Sequence, residues 1–487
     1  MNASLGQDNG TERARKVGRD LTSGSIPRHL IAFSLPMLAG SLLQSAYSFV
    51  NAFWVGRFLG PRALAAVTVS IPAVFVMIAA AAGLTLASNI VIAQHYGARD
   101  WERLRSTVET SVTLVLGASV VLMVFGLVFS KELLHLVNAP PDIFAMSLRY
   151  IRIVMLSLPL SFAIFLIGSM LRGIGDSKTP VYFQAVSVLL NATLDPLLMF
   201  GWAGFPRLGL NGTAWATLFS QSAAVVSLLV FVAKRHPLVM PDWGCLRPQR
   251  DTARLLLTIG LPAMVQQSVV SVSMFGITRF VSAFGSTADA AFGAALRIDQ
   301  IAFLPSLTLG IAVSTLAGQN LGARKPERVG QIFWWGAAVS VLISSVIAAA
   351  AITVPQVFLR IFLTDPKVID IGVGYLRIVG FTYVLYSLMF VSNGVINGAG
   401  HTFATTIISM LALWGIRLPL AWLLSHYLHS ATGIWIAMLT SVGVGMTLSV
   451  VYYSTGRWKT PMTRSRAEIG RGSGPISSCP PHGISRH

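Results

Sequence analysis

Long apolar runs separated by short polar connections fill the chain from residue 29 to residue 456. A helix needs about 20 mostly apolar residues to cross the hydrocarbon core of a bilayer, and these runs reach that length. Strands of a transmembrane barrel would be shorter and would alternate apolar with polar positions. The pattern predicts an all-α polytopic membrane protein with twelve transmembrane helices. The predicted spans are 30–55, 66–94, 106–129, 147–171, 179–201, 212–233, 254–282, 290–318, 330–352, 372–397, 403–425 and 431–454.

The second half of the chain repeats the first half at a constant offset. Residues 97–103, GARDWER, match 322–328, GARKPER, and the run that begins at Tyr150 matches the run that begins at Tyr375. Chance matches between apolar segments would favour Leu and Ala rather than this mixture. Six spans per half is an even number, so both halves enter the membrane in the same direction, as parallel transporter repeats do. We therefore expect two pseudo-symmetric six-helix lobes with a substrate site between them.

Polar segments set the expected limits of the lobes. The N-lobe, with spans 1–6, is expected at residues 29–235, and the C-lobe, with spans 7–12, at 254–456. A cytoplasmic linker at 236–253 would join them. A cytoplasmic tail at 1–28 precedes the lobes, and a basic cytoplasmic tail at 457–487 follows them. The Ser, Gly and Pro content of the second tail predicts disorder.

Composition and charge exclude several classes of protein. Hydrophobic residues make up 54% of the chain and charged residues 11%, against about 25% charged residues in a soluble domain, so a soluble enzyme is excluded. The basic residues predict the orientation. Of the 36 Lys and Arg residues, 24 fall on the side that carries both termini. By the positive-inside rule this predicts a multi-pass protein of the cytoplasmic (inner) membrane with both termini in the cytoplasm. This topology also accounts for most of the net charge of +18, so the charge does not require binding to nucleic acid.

Neither the cysteines nor the histidines predict a metal site. Cys245 and Cys479 fall in hydrophilic segments and imply no disulfide framework or zinc site. The histidines show no metal-ligand spacing.

Asp195 is the sharpest candidate for function. It lies inside the fifth predicted span, where a carboxylate costs about 2.5–3.5 kcal/mol and needs a partner, a cavity or a bound cation. Asn191 lies four residues earlier on the same helix face, so its amide could donate to the carboxylate and its carbonyl could bind a cation such as Na⁺. The alternative is a buried polar cluster that only holds helices together. Because intramembrane acids are functional by default, we favour an ion-coupling site.

A polar stripe runs along the first span. Gln44, Tyr47 and Asn51 are spaced i, i+3 and i+7, so they share one face of an apolar helix that should point into the bundle. They are candidates either to line a substrate cavity or to join helices. Pro36, in the same span, removes one backbone hydrogen bond and should kink the helix. That kink is either a hinge or static.

The eighth span contains Arg297 and Asp299, which we assign to the substrate cavity. They are two residues apart and do not face each other on a helix, so each needs its own partner or water. Asp299 is either a second coupling acid or the fixed partner of an arginine, and we favour the ion pair. The glycines of the GARDWER and GARKPER loops should permit tight turns after a helix.

Several motifs in combination point to a known family. They are the first-span run 35–60, the segment LRGIGD at 171–176, Asn191 with Leu194-Asp195-Pro196, and the segments 297–299 and 317–323. Together they resemble the multidrug and toxic compound extrusion (MATE) transporters, in particular the DinF-like bacterial and archaeal branch. The resemblance extends over about residues 29–455.

The resemblance implies a central cavity between two lobes and export of bulky, often cationic compounds in exchange for protons or sodium ions. It also implies that the face with Asn51 lines the N-lobe cavity, that Thr213 contributes a hydroxyl to the N-lobe network, and that the helix bends at Pro36 when the acid is protonated. The family usually has Asp where this chain has Asn51. A second titrating carboxylate is therefore missing, although Asn51 could still bond to Asp195 or bind a sodium ion.

We therefore interpret the chain as an antiporter rather than an enzyme. It contains no nucleotide-binding motif, so an ion gradient, of protons or sodium, would supply the energy, without a cofactor. The expected partners are a small organic substrate and the lipid bilayer, and we expect a monomer. One alternative is a flippase for a lipid-linked oligosaccharide or cell-wall precursor, which would need a basic cavity. Another is a channel or receptor, which would not need two fused lobes.

Overall fold

The computed structural model describes residues 18–242, 244 and 248–463. The rest of the predicted tails, part of the linker, and both cysteines lie outside these residues. Every regular element in the described ranges is helical. The α-helices are α1 Ile26–Trp54, α2 Pro61–Ala98, α3 Trp101–Val128, α4 Ser130–Leu136, α5 Pro141–Leu156, α6 Leu158–Gly173, α7 Lys178–Phe200, α8 Leu210–Arg235, α9 Arg250–Ser282, α10 Ser286–Gly322, α11 Pro326–Thr353, α12 Pro355–Leu359, α13 Pro366–Val379, α14 Phe381–Gly398, α15 Thr402–Met410, α16 Leu418–Leu428 and α17 Thr432–Ser454.

These helices account for all twelve predicted spans, which confirms the fold class. Ten spans are continuous, and π-helical turns extend α1 to Leu59 and join α15 to α16. The other two are bent pairs, α5 with α6 at 40° and α13 with α14 at 41°. They are the fourth span of each lobe. At the first bend Pro159 lacks the N–H that would continue the helix, and at the second Gly380 is a weak helix former.

The repeated loops after α2 and α10 share a backbone conformation. Arg99 and Arg324 adopt the left-handed region, with φ of 58° and 59°. The prediction that the loop glycines make these turns is wrong in detail. Gly97 and Gly322 instead allow α2 and α10 to touch, because a Cβ at either position would lie 1.9 Å from the carbonyl oxygen of Gln319 or Gln94.

Each half of the helical bundle has its own core. In the first half, the bent helices α5 and α6 pack on α2 and α3 through residues such as Ile151, Phe162 and Leu104. In the second half, α13 and α17 pack on α10, and Tyr375 lies at the edge of Trp435. Nothing in these contacts marks the exact limits of the lobes, which stay predictions.

The two lobes are joined at the end of the bundle that carries both termini. In the described residues, the hydrophobic clusters between lobes involve the first part of α1 and α9 and the last part of α2 and α10. Leu30 and Phe33 pack with Leu316, and Ile90 packs with Ile259. The interlobe hydrogen bonds, such as Thr315 to Asn89 at 3.2 Å, lie at the same end.

Candidate ion site and its surroundings

Asp195 is almost completely buried on α7, and its two carboxylate oxygens have different environments. Its side chain is 1% exposed. The hydroxyl of Tyr47, on α1, donates to Oδ2 over 3.1 Å. Oδ1 is buried without a hydrogen-bond partner. Because a buried polar atom without a partner is costly, this oxygen is suited to receive a proton or a cation.

The residue after Asp195 adds a second free acceptor to this part of α7. Pro196 lies inside the helix and has no N–H, so the carbonyl of Ala192 lacks its usual helical donor. The acid therefore lies where α7 is locally short of hydrogen-bond donors, as ion sites in transporter helices commonly are.

Asn191 is buried one helical turn before Asp195, but its amide does not donate to the carboxylate as the sequence suggested. Its Nδ2 donates to the hydroxyl of Thr217 on α8 over 3.1 Å. Its Oδ1 is buried without a partner. The amide orientation thus presents a further free oxygen on the helix face of Asp195.

Thr213 is also buried, but its hydroxyl bonds within α8. It donates to the carbonyl of Leu210 over 2.9 Å. The side chain that connects α8 to Asn191 is Thr217, one turn further along. Thr217 was missed because only its position opposite Asn191, and not its spacing in the sequence, distinguishes it from other hydroxyl residues of the span.

Two residues of the polar stripe on the first span contact α7. Gln44 accepts from Nε2 of Gln184 over 3.4 Å, and Tyr47 bonds to Asp195. Asn51 lies one turn beyond Tyr47 and is half-buried, and its Oδ1 has no hydrogen-bond partner. Asn51 does not donate to Asp195, whose side-chain donor is Tyr47. Tyr47 therefore takes the bonding role that the sequence offered to Asn51.

Pro36 lies within α1, which continues helically on both sides of it. The proline leaves the carbonyl of Ala32 without its helical donor, so the helix is weakened at this turn. Tyr47 lies three turns further along the same helix. Whether the weakened turn acts as a hinge stays a prediction.

Asp299 is held by two tyrosines rather than by an arginine, so the predicted ion pair is wrong. Tyr375 donates to Oδ2 and Tyr383 donates to Oδ1, the latter over 2.6 Å. All three side chains are buried. The carboxylate is already bonded at both oxygens, in contrast to Asp195.

The arginines near Asp299 have other neighbours. Arg417 is buried and donates from Nε to Ser441 over 2.8 Å and from Nη2 to Tyr386 over 3.1 Å. Arg297 is exposed, with its guanidinium 5.6 Å from the ring centre of Phe362. These side-chain partners of Arg417 are hydroxyl groups, and Asp299 is not among them.

Tyr375 was missed as a functional neighbour, although the repeat contained a signal for it. Its counterpart Tyr150 interacts electrostatically with Asp195 in the N-lobe. The two tyrosines occupy matching positions of the repeat, and each lies beside a buried acid. The acids themselves come from different helices, α7 and α10, so the repeat alone does not pair them.

Comparison with known proteins places this site in a family. The MatE family model matches residues 36–197 and 262–423, one segment in each half of the chain. The chain belongs to the MATE family. Members of the family are transporters and not enzymes, so the MATE assignment confirms a transporter. Asp195 lies inside the first matched segment.

Two similar MATE proteins come from bacteria. The chain is 34% identical to the probable multidrug resistance protein YoeA of Bacillus subtilis over 93% of its length and 99% of the relative. It is 26% identical to the probable multidrug resistance protein NorM of Thermotoga maritima, over 91% of the chain and 96% of the relative. A solved structure of an outward-facing multidrug resistance MATE transporter covers 91% of this chain, and 98% of that chain, with a TM-score of 0.84 and 22% identity.

Proposed function

We propose that this MATE-family protein is a proton- or sodium-coupled antiporter that exports bulky cationic small molecules by alternating access. The observation that carries the proposal is the divided environment of Asp195. One carboxylate oxygen accepts from Tyr47, and the other is buried without a partner. Such a group can exchange an ion at low cost because one of its coordination positions is already desolvated and open.

The surrounding oxygens suit a small cation as well as a proton. Asn191 and Asn51 each have a buried amide oxygen without a hydrogen-bond partner, and both lie one turn from the Tyr47–Asp195 bond. Amide and carboxylate oxygens are ligands for hard cations. With Asn at position 51 there is no second carboxylate to share a proton. The site would therefore carry one proton on Asp195 or one sodium ion among these oxygens.

The bond from Tyr47 gives a physical route from ion binding to helix movement. A hydrogen bond to a charged group is worth about 1.5–3 kcal/mol and one between neutral groups about 0.5–1.5 kcal/mol. Protonation of Asp195 would thus weaken the tie between α1 and α7 by about 1 kcal/mol or more. Bending of α1 at Pro36 would become easier, and a change of this size shifts a two-state equilibrium several-fold.

The negative charge of Asp195 favours a positively charged cargo. A carboxylate that is neutralised by the incoming ion would release a cationic compound at that moment. The names of YoeA and NorM indicate multidrug resistance for those relatives. A flippase cavity would need arginines gathered around a pyrophosphate, whereas Arg417 bonds to Ser441 and Tyr386.

We also propose the orientation and the setting of the molecule. Most basic residues fall on the side of the two termini, which favours the cytoplasm for that side. The protein would be a monomer in the cytoplasmic (inner) membrane. Its lobes would then be joined at the cytoplasmic end. The residues proposed for the substrate cavity, Gln44, Tyr47, Asn51 and Arg297, would lie toward the other end, whereas Asp299 is enclosed by its two tyrosines.

The direct test is transport by purified protein in proteoliposomes under an imposed proton or sodium gradient. Efflux of a cationic dye should follow one of these gradients in the unmodified protein and fall to background in Asp195→Asn. The matched control is Asp289→Asn, because Asp289 lies at the beginning of α10 and bonds to Ser282 near the surface. Gradient-driven efflux that survives in Asp195→Asn would contradict the coupling role.

A further inference from the structure

Two glutamines at equivalent positions of the repeat bond across the lobe interface. They lie at the end of the bundle that carries both termini, which we call the terminus-side end. Nε2 of Gln94, on α2, donates to the carbonyl of Gly398 over 2.7 Å. Nε2 of Gln319, on α10, donates to the carbonyl of Gly173 over 2.8 Å. The glutamines occupy matching positions of the repeat, and so do the glycines. Each bond crosses from one lobe to the other.

The terminal segments of the chain bind the same two glutamines. In the segment before α1, the amide of Leu21 donates to Oε1 of Gln319 over 3.1 Å. In the segment after α17, the hydroxyl of Thr463 donates to Oε1 of Gln94 over 2.6 Å. Both glutamine side chains are buried, so their amides are bonded at the oxygen and at the nitrogen inside the protein.

Each terminal segment is also fixed to the lobe opposite its glutamine. The amide of Arg19 donates to the carbonyl of Ile174 over 3.0 Å, and the amide of Met462 donates to the carbonyl of Ala399 over 3.1 Å. Ile174 and Ala399 are again equivalent positions of the two halves. The N-terminal segment thus bridges from α6 to α10, and the C-terminal segment bridges from α14 to α2.

Basic side chains strengthen the N-terminal bridge. Lys325 donates to the carbonyl of Thr22, and Arg328 donates to the carbonyl of Gly24, each over 3.0 Å. Both residues belong to the repeated GARKPER loop. That loop therefore binds the backbone of the terminal segment in addition to ending α10.

We propose that Gln94 and Gln319 are paired gate residues and that residues 18–24 and 456–463 are latches that hold this gate shut. To open this end, the lobes must break both glutamine bonds, and each terminal segment must leave at least one lobe. Each of these hydrogen bonds that is lost on opening raises the free energy of the open state. The free energy of the latch contacts would then determine what fraction of the molecules is closed at this end and what fraction is open.

The latches can be tested without knowledge of cargo or ion. A reporter cysteine replaces Thr315, which is buried between the lobes one turn before Gln319. The native cysteines are removed by Cys245→Ser and Cys479→Ser. A charged, water-soluble thiol reagent then labels the reporter only when the terminus-side end opens, and the rate of labelling reports the open fraction.

The matched variants are Thr463→Val and Thr463→Ser, which differ in the hydroxyl that bonds to Gln94. Loss of one hydrogen bond should raise the labelling rate of Thr463→Val roughly two- to tenfold, whereas Thr463→Ser should stay near the parent rate. Equal rates in all three proteins would overturn the proposal, as would equally fast labelling of the Ser and Val variants, because the hydroxyl would then not matter.

The N-terminal latch, residues 18–24, provides an independent variant at an exposed side chain outside the core. Lys325→Ala removes the bond to Thr22 from an exposed side chain and should also raise the labelling rate. Lys234→Ala changes an exposed lysine at the end of α8 and should leave the rate at the parent value. Gel filtration checks that each protein is folded. An unchanged rate in Lys325→Ala would overturn the role of the N-terminal segment.

Discussion

The hydroxyl of Tyr47 donates to Asp195 over 3.1 Å, and this contact joins α1 to α7 at the acid that is bonded on one side only. The donor belongs to the helix that contains Pro36, and the acceptor lies beside Pro196. α7 lacks one backbone hydrogen bond beside the acid, and α1 lacks one at Pro36, three turns before Tyr47. A proton or cation at Asp195 therefore acts on a contact between two helices that are each weakened at a proline.

Tyr47→Phe removes this donor while preserving the ring. We expect gradient-driven efflux to fall at least about tenfold, because a hydrogen bond to a charged group is lost at the coupling site. The measurement is initial efflux rate in proteoliposomes. Tyr182→Phe is the matched control, since Tyr182 lies on α7 but is 67% exposed. Wild-type efflux by Tyr47→Phe would show that the contact does not contribute to coupling.

Asn51→Asp places a second carboxylate one helical turn from Tyr47, whose hydroxyl bonds to Asp195. Two ionised carboxylates this close repel each other, so one of them should bind an additional proton. We expect the number of protons exchanged per cargo molecule to rise. The ratio is measured from the cargo gradient that balances a known proton gradient. Asn51→Ser is the control, and an identical ratio in Asn51→Asp and Asn51→Ser would argue against proton sharing.

Tyr383→Phe tests whether Asp299 in the C-lobe contributes to stability or to transport. It removes one of the two hydroxyls that bond to the carboxylate of Asp299, which should cost about 1.5–3 kcal/mol of stability. The thermal unfolding temperature in detergent should fall, while gradient-driven efflux at a lower temperature should persist. Tyr427→Phe, at an 80% exposed position, should change neither. Loss of efflux with unchanged stability would instead make Asp299 a second coupling acid.

Gly97→Ala should destabilise the closed lobe interface. A Cβ at this position would lie 1.9 Å from the carbonyl oxygen of Gln319, and such overpacking typically costs about 1–3 kcal/mol. Gly117, on α3, has no neighbouring atom within 4 Å of a built Cβ, so Gly117→Ala should be neutral or slightly stabilising. Thermal unfolding measures both. Equal effects of the two substitutions would contradict the close approach of α2 and α10.

Acid should release the N-terminal latch through Asp20. Burial alone would raise the pKa of Asp20, but hydrogen bonds from the side chain and backbone of Thr22, with the charges of Arg99 and Lys325, hold the pKa below its usual value. A carboxyl with a lowered pKa stabilises the folded segment above about pH 4, and this contribution disappears as the pH falls through the lowered pKa. Reporter labelling at position 315 should therefore be faster in Asp20→Asn at pH 7. Thermal unfolding is the readout at low pH, because thiol labelling needs a thiolate. The difference in unfolding temperature between Asp20→Asn and the unmodified protein should vanish below the lowered pKa, and a difference that persists there would exclude the carboxylate as its cause.

The sequence predicted the helices well because each span carries its own apolar signal. All twelve spans appear, and the repeat visible at Gly97 and Gly322 extends to the left-handed conformation of Arg99 and Arg324. Local spacing also placed Gln44 and Tyr47 on one face of α1, and both side chains bond to residues of α7, a partner that the spacing did not name. These properties depend on residues within a few turns of one another.

Side-chain partners from distant parts of the chain were harder to predict. The tyrosines that bond to Asp299 lie 76 and 84 residues away from it, so hydroxyl donors were not distinguishable from arginines in the sequence alone. The choice of Thr217 over Thr213 depends on how α7 and α8 are rotated against each other. Each buried acceptor or amide has several possible hydrogen-bond partners in the sequence. Which of them is close enough to bond depends on how the helices pack.

The bonding of residues 18–24 and 456–463 across the lobes affects how the molecule is handled in the laboratory. Truncations that reach into these segments would remove bonds between the lobes and, by the latch proposal, favour the state that is open at this end. Affinity tags are better placed before Met1 or after His487, where they leave the bonds of Leu21 and Thr463 in place.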